Sequence, residues 1–417
     1  MYWTDQFGSA GVDVASAVAV APNGDVAVFG YAEQSVKLDY TTQGDNDLYL
    51  ALYSRAGDRR WIVQFGSPGV ELPSSSIAVA PNGDIIVAGT VIGSFPGYTE
   101  TGSGGDVFVA RFNRRGQRLW LRQFGSDAQD YLGSLALAPS GDIYLAATSA
   151  GAFPSGGTAV TTPSGSRDAI LTRLSSRGRI VWSRSLSSAL SDYATGVAVN
   201  RFGEIFVAGS TGGLLDGAVN SGGDLDAFVA AFDRRGNRKW LRQSGVVGDE
   251  AFFALAVTPG GSPVAAGYTE ASWHGTIPGY NEALGGRDGL VVRYTRSGTL
   301  LWSNRHGTSA LDMNTSIVVA RNGQIYAAGF TSGNWPGFTN QGLFDLHLLR
   351  ISPDGTTLRT RAFGTSEMEG DVQYGPSIAM IGNWRVAMAL NTAGSTWGHQ
   401  AAGRADAAVS VLPVPTS

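Results

Sequence analysis

The chain has 417 residues, 43% of them hydrophobic and 10% aromatic, which is too much apolar surface for a disordered protein. It contains 58 glycines, about twice the usual share, and no cysteine, which excludes disulfides, thiolate zinc sites and cysteine nucleophiles. The 30 basic side chains nearly balance the 34 acidic ones, and the net charge of −4 gives no general attraction to nucleic acid or to an anionic membrane.

The start of the chain shows no targeting segment. Met1 to Asp5 form neither a basic n-region nor an apolar h-region, so no secretory signal is visible. No apolar run approaches the roughly 18 residues of a transmembrane helix, and we expect no membrane span. The histidines lack the spacing of metal ligands, so we expect no metal centre built on them; they are His274, His306, His347 and His399.

A repeat of about sixty residues runs through the chain from its first residues. The pattern Trp-x-x-Gln-Phe-Gly, exact or weakened, begins at Trp3, Trp61, Trp120, Trp182, Trp240, Trp302 and Arg359. A turn glycine follows at Gly24, Gly83, Gly141, Gly203, Gly261, Gly323 and Gly382. An aspartate then opens an apolar run at Asp47, Asp106, Asp168, Asp226, Asp288, Asp345 and Asp406. Seven units therefore fill the chain and leave no linker.

Each unit reads as four short strands, a to d. In the second unit these are residues 76–80, 85–88, 107–112 and 117–124. Small residues on strand a suit a crowded central axis, whereas the alternating arginines of strand d suit an outer edge. This pattern predicts an all-β fold, a seven-bladed β-propeller of four-stranded antiparallel blades.

The spacing of the last unit predicts how the ring closes. The turn between strands c and d has its glycine ten residues after the strand-c aspartate, as in Asp47 to Gly57 and Asp345 to Gly355. The same count from Asp406 reaches Thr416, next to the last residue, so that unit lacks strand d. We predict that residues 1–8 supply it by pairing with 407–412. The whole chain, 1–417, is then one domain whose last blade comprises about 370–412 plus 1–8.

The repeat resembles the bacterial seven-bladed β-propeller repeat (SBBP) family. The matching signature is a glycine-rich loop, Asp-Val-Phe-Val-Ala-Arg-Phe, Arg-Gly, Trp, Phe-Gly-Ser, an acid, Ala-Val-Ala-Pro-Asn-Gly-Asp and Val-Ala-Gly-Thr. It covers essentially the whole chain and is weakest in the last unit, where Asn383-Trp384 replaces the turn acid. The resemblance implies a propeller in the cell envelope or outside the cell. The family shares no catalytic residues, so the resemblance supplies no active site.

The loops that connect strands b and c vary most in length. They emerge on the same face as the d–a connections, which we call the b–c face; the opposite one is the a–b face. Loops on a rigid scaffold commonly carry function, and aromatic side chains are favoured binding anchors. The candidate ligand-binding residues are Phe95, Tyr98, Trp273, Tyr280, Trp335, Phe338 and Trp397. The alternative is that each ring tucks its loop against the blade; Trp273 and Trp397 depart from the recurring pattern and are the stronger binding candidates.

An acid recurs five residues after each Phe-Gly position, also on the b–c face. The seven residues are Asp13, Glu71, Asp130, Asp192, Glu250, Asp312 and Glu369. As a ring of carboxylates they are candidate ligands of a cation such as Ca²⁺. Their presence in every unit favours a structural role, in which each acid accepts backbone N–H bonds within its loop. We otherwise predict no cofactor and no metal.

The a–b face is basic along its c–d hairpins. The residues are Arg59, Arg60, Arg114, Arg115, Arg177, Arg179, Arg234, Arg235, Arg238, Lys239 and Arg296. They suit either a phosphate-facing rim or, as we favour, solvated edges that discourage strand addition.

These observations favour a monomeric, non-enzymatic binding module that presents its b–c loops to a glycan or protein partner. Two alternatives stay open. One is a polysaccharide hydrolase or lyase with acids at the channel mouth, for which the sequence supplies no carboxyl separation. The other is a structural cell-surface or adhesion domain. We predict no catalytic residue: His306 occupies an aromatic packing position and His347 lies within strand c without a visible nucleophile.

Overall fold

The computed structural model describes residues 3–37, 40–99, 102, 104–156, 164–215, 224–245, 248–270, 285–364, 375–392 and 405–413. Within these ranges the chain forms 28 β-strands, and no helix there is long and apolar enough to cross a membrane. The strands form seven four-stranded antiparallel sheets. The fold is therefore the predicted seven-bladed β-propeller.

In blades 1 to 6 the strands follow the chain order, and blade 7 has the N-terminal strand as its outermost strand. Blade 1 is β2 (Asp13–Val20), β3 (Val26–Ala32), β4 (Asp47–Tyr53) and β5 (Arg59–Phe65); blade 2 is β6 (Val70–Val79), β7 (Ile85–Ile92), β8 (Asp106–Phe112) and β9 (Arg118–Phe124); blade 3 is β10 (Asp130–Leu137), β11 (Ile143–Ser149), β12 (Asp168–Leu174) and β13 (Ile180–Leu186). Blade 4 is β14 (Asp192–Val199), β15 (Ile205–Thr211), β16 (Asp226–Phe232) and β17 (Arg238–Ser244); blade 5 is β18 (Glu250–Val257), β19 (Pro263–Thr269), β20 (Asp288–Tyr294) and β21 (Leu300–His306). Blade 6 is β22 (Asp312–Val319), β23 (Ile325–Thr331), β24 (Asp345–Ile351) and β25 (Thr357–Phe363), and blade 7 is β26 (Ser377–Ile381), β27 (Arg385–Thr392), β28 (Asp406–Pro413) and β1 (Trp3–Phe7).

The N-terminal strand closes blade 7, as the spacing predicts. β1 is antiparallel to β28, in a register that runs from Trp3 opposite Val411 to Phe7 opposite Ala407. Thr4 and Ser410 share a hydrogen bond between their hydroxyls, and Gln6 Nε2 donates to Asp406. The outer edge of β28 is thereby paired within the molecule.

The innermost strand of the second unit is longer than predicted. The sequence favours 76–80, whereas β6 begins at Val70. The pairing with β7 continues through a register shift between Pro73 and Ile77. The shift leaves three residues of β6, 74–76, opposite Ala88 alone, and such an irregularity breaks the alternation that marks a strand in sequence.

The tryptophan of the repeat joins its blade to the following one. The indole N–H of Trp61, in blade 1, donates to the Arg114 carbonyl in the c–d turn of blade 2 (3.1 Å). Trp3, Trp182, Trp240 and Trp302 make the same contact with Arg55, Arg234, Arg296 and Pro353. The glycine of that c–d turn lies beneath the ring, and at Gly116 its φ of 79° favours glycine as well. Two of the repeat markers therefore form one contact between units.

Arg359 replaces this tryptophan in blade 6 for a reason visible in the topology. The next blade is closed by β28 and β1, which are not consecutive in the chain and share no c–d hairpin. The turn that would receive an indole N–H is therefore not formed there.

Apolar residues fill the space between blades elsewhere, as where Phe29 and Leu50 of blade 1 meet Val87 and Phe108 of blade 2.

Candidate functional site

The recurring acids lie at the b–c face, each at or next to the first residue of an innermost strand. The six within the described residues are fully buried: Asp13, Glu71, Asp130, Asp192, Glu250 and Asp312. Glu369 lies outside the described residues. The backbone N–H of Ser67 donates to Glu71 Oε1 (3.0 Å), and that of Ser188 donates to Asp192 Oδ2 (2.6 Å). A serine or threonine four residues earlier thus holds five of the six acids in their loops; before Glu250 this position is Val246.

Each of these acids also faces the strand-c aspartate of the preceding blade. Glu71 interacts electrostatically with Asp47, and Asp13, Asp130, Asp192 and Asp312 do so with Asp406, Asp106, Asp168 and Asp288. The glycine of the Phe-Gly pattern makes room for both carboxylates. A Cβ at Gly66 would overlap Asp47 Oδ1 and lie 2.9 Å from Glu71 Oε2. These two oxygens are buried and accept no hydrogen bond within the described residues.

Burial makes a second negative charge in such a pair unfavourable. Desolvation raises the pKa of Glu71 to about 8, and the charge of Asp47 adds to the shift. Desolvation likewise raises the pKa values of Asp13 and Asp130 to about 6. At neutral pH a proton on Glu71 therefore removes one of the two negative charges of the Asp47–Glu71 pair. Among the described residues, no three acidic or histidine side chains converge to hold a metal ion.

We expect Glu71→Gln to remove a pH dependence of stability. Folded Glu71 keeps its proton up to a pKa of about 8, whereas the unfolded residue loses it near pH 4.3, so the wild type becomes less stable as pH rises between these values. From about pH 6.5 to 8 this loss is about 1.5 kcal/mol. Glutamine has no proton to lose and its amide can donate to Asp47 Oδ1. Urea unfolding at the two pH values measures the difference.

The difference between the slopes of the wild type and the variant isolates Glu71, because all other titrating groups are common to both. These include His306 and His347: burial lowers their folded-state pKa values to about 4 and about 3, but in the unfolded state they titrate near pH 6.5, within the interval. Asp58→Asn is the matched control, because Asp58 is an exposed acid and the variant keeps the wild-type slope. If Glu71→Gln retains the wild-type slope, or if EDTA destabilises the wild type at pH 8, a bound cation rather than a proton neutralises the pair.

The described aromatic residues of the b–c loops fold back onto their blades. Phe95 is 1% exposed and packs against Phe65 and Phe108. Trp335 is 8% exposed. A turn joins each ring to the next aromatic residue: the Tyr98 N–H donates to Phe95 O (3.0 Å), and the Phe338 N–H donates to Trp335 O (2.8 Å). Phe95 and Trp335 therefore offer little surface to a ligand.

Tyr98 and Phe338 are half-buried, and the Tyr98 hydroxyl donates to the Leu121 carbonyl (2.5 Å). This contact fixes the ring against strand d of its own blade. Trp273, Tyr280 and Trp397 lie outside the described residues, so their binding role stays a prediction.

Exposed leucines on the b–c face were not predicted from the sequence. Leu190 in the connection before blade 4 is 55% exposed, and Leu214 in the b–c loop of that blade is 57% exposed. A Cβ at Gly213 would lie 3.6 Å from Leu190 Cβ, so the backbone just before Leu214 runs beside Leu190. Arg167 pairs with Ser191 through a β-bridge, and its guanidinium lies 5.9 Å from the Tyr131 ring centroid. We call Tyr131, Arg167, Leu190 and Leu214 the Leu190 patch.

The central channel holds a cavity of about 440 Å³ lined by the innermost strands. None of its lining residues is charged. Hydroxyl groups there bridge neighbouring blades: Thr195 Oγ1 donates to Phe252 O (2.5 Å) and Ser74 Oγ donates to Leu132 O (2.6 Å). The polar groups of the wall thus bond to one another, and the buried acids do not line the cavity.

His306 and His347 belong to a buried polar cluster between blades 5 and 6. The Nε2 atom of each lies 3.1 Å from Asn314 Oδ1, and the indole of Trp335 packs over both rings. Burial lowers both pKa values, so both rings are neutral at pH 7. The amide oxygen and the indole account for the position of both imidazoles, and no hydroxyl or thiol nucleophile is among these contacts.

The seven blades, the tryptophan contacts between them and the closing N-terminal strand define this chain as a seven-bladed β-propeller. Comparisons with known proteins agree at the level of the fold. No protein-family model matches the chain, and membership of the SBBP family stays a prediction. A stretch of 194 residues is 26% identical to the regulatory protein FlaEY of Caulobacter vibrioides, covering 42% of this chain and 20% of that protein. Another of 319 residues is 22% identical to the uncharacterized WD repeat-containing protein L264 of Acanthamoeba polyphaga mimivirus, covering 57% of this chain and 23% of that protein. The chain thus spans less than a quarter of the length of either relative.

Solved structures share the fold at low sequence identity. The polysaccharide lyase Uly1 matches with a TM-score of 0.50 and 11% identity, over 96% of this chain and 90% of its own. The Pan2 WD40 domain of Neurospora crassa matches with a TM-score of 0.46 and 10% identity, over 99% and 96%. At such identities the likeness concerns the fold alone.

Proposed function

We propose that this protein is a non-enzymatic interaction module that binds a partner protein through the Leu190 patch of its b–c face. The carrying observation is that Leu190 and Leu214, on two connections whose backbones run side by side, are both more than half exposed. Exposed aliphatic side chains on one surface with tyrosine and arginine are typical of the buried centre of a protein interface.

A protein partner suits this patch better than a glycan does. Sugar rings stack on open aromatic faces, whereas the described loop aromatics Phe95 and Trp335 are buried and Leu190 and Leu214 are aliphatic. The polysaccharide-cleaving alternative places paired carboxylates at the channel mouth. The described acids are instead buried between blades and held by serine and threonine, and this supports binding over hydrolysis.

We further propose, from the SBBP resemblance, that the protein acts outside the cell or in the envelope, and that it acts as a monomer. A bound Ca²⁺ at the acid ring belongs to the same set of proposals. The effect of EDTA on the stability of the wild type at pH 8 tests this last proposal.

We expect Leu190→Ser combined with Leu214→Ser to weaken binding of the partner at least tenfold, because truncating buried interface anchors removes about 1.4 kcal/mol or more. The experiment captures partners from an envelope extract on immobilised protein. It then measures the affinity of each purified partner for the wild type and the variant.

Leu119→Ser is the matched control, because Leu119 is 51% exposed but lies on the outermost strand of blade 2. We expect this variant to bind like the wild type. Equal binding by the double variant contradicts the proposed surface. Binding on a glycan array without protein capture favours the sugar-binding alternative, and release of reducing or unsaturated sugar ends favours the enzyme.

A further inference from the structure

The a–b turn of blade 4 differs from the other turns of its kind. Blades 1 and 2 carry Pro-Asn-Gly-Asp, where Asn23 Oδ1 accepts the Asp25 N–H (3.1 Å) and closes the turn. Blade 4 reads Arg201-Phe202-Gly203-Glu204. Phe202 is 44% exposed on the a–b face, opposite the Leu190 patch. Asn200 Oδ1 closes this turn instead, by accepting the N–H groups of Phe202 and Glu204, so residue 202 has no role in closing it. One side of the Phe202 ring lies against Gly261 in the a–b turn of blade 5.

Two arginines lie over this ring, and a third lies against the turn that carries it. The Arg296 guanidinium, from the c–d turn of blade 5, lies 4.0 Å from the Phe202 ring centroid, and that of Arg201 lies 4.8 Å from it. Arg234, from the c–d turn of blade 4, lies against Gly203, where an added Cβ would overlap its guanidinium. The guanidinium groups of Arg296 and Arg201 therefore lie over the ring, and part of its edge faces solvent.

Glu204 holds two of the cations in place. Its Oε2 accepts a hydrogen bond from Arg296 Nε (2.8 Å), and its Oε1 accepts one from Lys239 Nζ (2.5 Å). Burial opposes ionisation of Glu204, but these hydrogen bonds outweigh it and lower its pKa to about 2. Arg296 and Lys239 keep about two fifths of their side-chain surface exposed. They are thus oriented before any ligand arrives, which reduces the entropy lost on binding.

The region carries a local positive charge on an acidic protein. Six exposed basic residues share the turns around Phe202: Arg201, Arg234, Arg235, Arg238, Lys239 and Arg296. The two acids among them, Glu204 and Asp233, are already engaged. Glu204 binds the two cations above, and Asp233 Oδ1 accepts the backbone N–H groups of Arg235 and Asn237. An oxoanion ligand is the chemical class that such a surface takes.

We propose that Arg201, Phe202, Arg234, Lys239 and Arg296, the Phe202 patch, form a second binding site, which takes an acidic peptide segment of a partner protein. The arginines bind the carboxylates of the segment, and the exposed edge of Phe202 contacts an apolar side chain between them. Nucleobases and sugars stack on open aromatic faces, and here guanidinium groups occupy the faces. The site is independent of the Leu190 patch, which lies on the other face.

The test measures fluorescence anisotropy of a labelled peptide of repeated Glu-Asp-Leu units with the full-length protein at low salt. We expect binding that a Gln-Asn-Leu peptide does not show. Phe202→Asn weakens it about fivefold and Arg296→Ser about tenfold, since both remove contacts at the centre of the patch. Phe202→Asn recreates the Arg321-Asn322-Gly323 turn of blade 6, where Asn322 Oδ1 accepts the Gln324 N–H. The variant therefore keeps a native turn.

Arg114→Ser is the matched control. Arg114 occupies the same turn position in blade 2 and lies on the same face, so its loss removes equal charge away from Phe202. We expect its affinity for the peptide within twofold of the wild type. An equal effect of Arg114→Ser and Arg296→Ser overturns the proposal, because binding then follows general charge. Equal or tighter binding of an oligonucleotide or an oligogalacturonate also overturns it.

Discussion

Removal of residues 1–9 is expected to destabilise the protein by about 4 kcal/mol or more, because it deletes buried aromatic contacts and a complete strand. Trp3 stacks on Tyr53 with 5.4 Å between ring centroids, and its indole N–H bonds to the c–d turn of blade 1. Phe7 packs edge-on against Tyr49, and Asp5 accepts the Tyr53 hydroxyl (2.8 Å). The strand thus joins blade 7 to blade 1 as well as completing blade 7.

The truncation also exposes the edge of β28, an apolar strand. Unpaired edges associate with other chains, so we expect oligomers or aggregates alongside the loss of stability. Urea unfolding and size-exclusion chromatography measure the two effects. Addition of a synthetic peptide of residues 1–9 serves as the control and is expected to restore the midpoint. An unchanged midpoint without the peptide would falsify closure by this strand.

Gly209→Ala is expected to cost about 3 kcal/mol, the upper range for overpacking a core. Gly209 lies on the second strand of blade 4, opposite Ala194 and beside the bulge of the innermost strand. A Cβ there would overlap the carbonyl oxygen of Tyr193 and lie 3.1 Å from a ring carbon of Phe228. Because the obstacle is backbone, no change of side-chain rotamer relieves it. Gly30, Gly267 and Gly329 occupy the same position and meet the same kind of carbonyl.

Gly286→Ala provides the comparison for this substitution. Gly286 is exposed, and no atom lies within 4 Å of a Cβ added to it. We expect that variant to unfold within about 0.5 kcal/mol of the wild type, as surface substitutions usually do. Equal urea midpoints for Gly209→Ala and Gly286→Ala would mean that the backbone at the bulge shifts to accommodate a methyl group. The recurrence of glycine at this position of the repeat, as in Val-Ala-Gly-Thr, would then need another explanation.

The repeat markers predicted the blades because each marker is a contact that recurs once per blade. The tryptophan and the glycine of the c–d turn meet across a blade junction, as Trp61 and Gly116 do. The acid and the strand-c aspartate meet likewise, as Glu71 and Asp47 do. The sequence located all four positions correctly. It did not reveal that the acids form pairs, since the partners come from different units and their spacing carries no sign of contact.

Exposure of single loop residues was the least predictable property. Phe95 and Leu190 are both large apolar residues in connections on the b–c face, yet Phe95 is buried and Leu190 exposed. The difference arises because Phe65 and Phe108 form a pocket beneath Phe95.

The aromatic turn residue Phe202 was visible in the sequence as a departure from Pro-Asn-Gly-Asp, and that departure is the signal that could have identified it.

The sequence by itself determined the number of blades, their four-stranded pattern, the short loops and closure by the N-terminal strand. All of these follow from spacings that repeat along the chain, because strand length and turn chemistry are local properties. Only the tertiary structure decided which side chains are free to bind. It buried the recurring acids, covered Phe95 and Trp335, and exposed Leu190, Leu214 and Phe202. The physical reason is that solvent exposure at a blade junction depends on the neighbouring blade, whose contacting residues lie about one repeat away, as between Trp61 and Arg114.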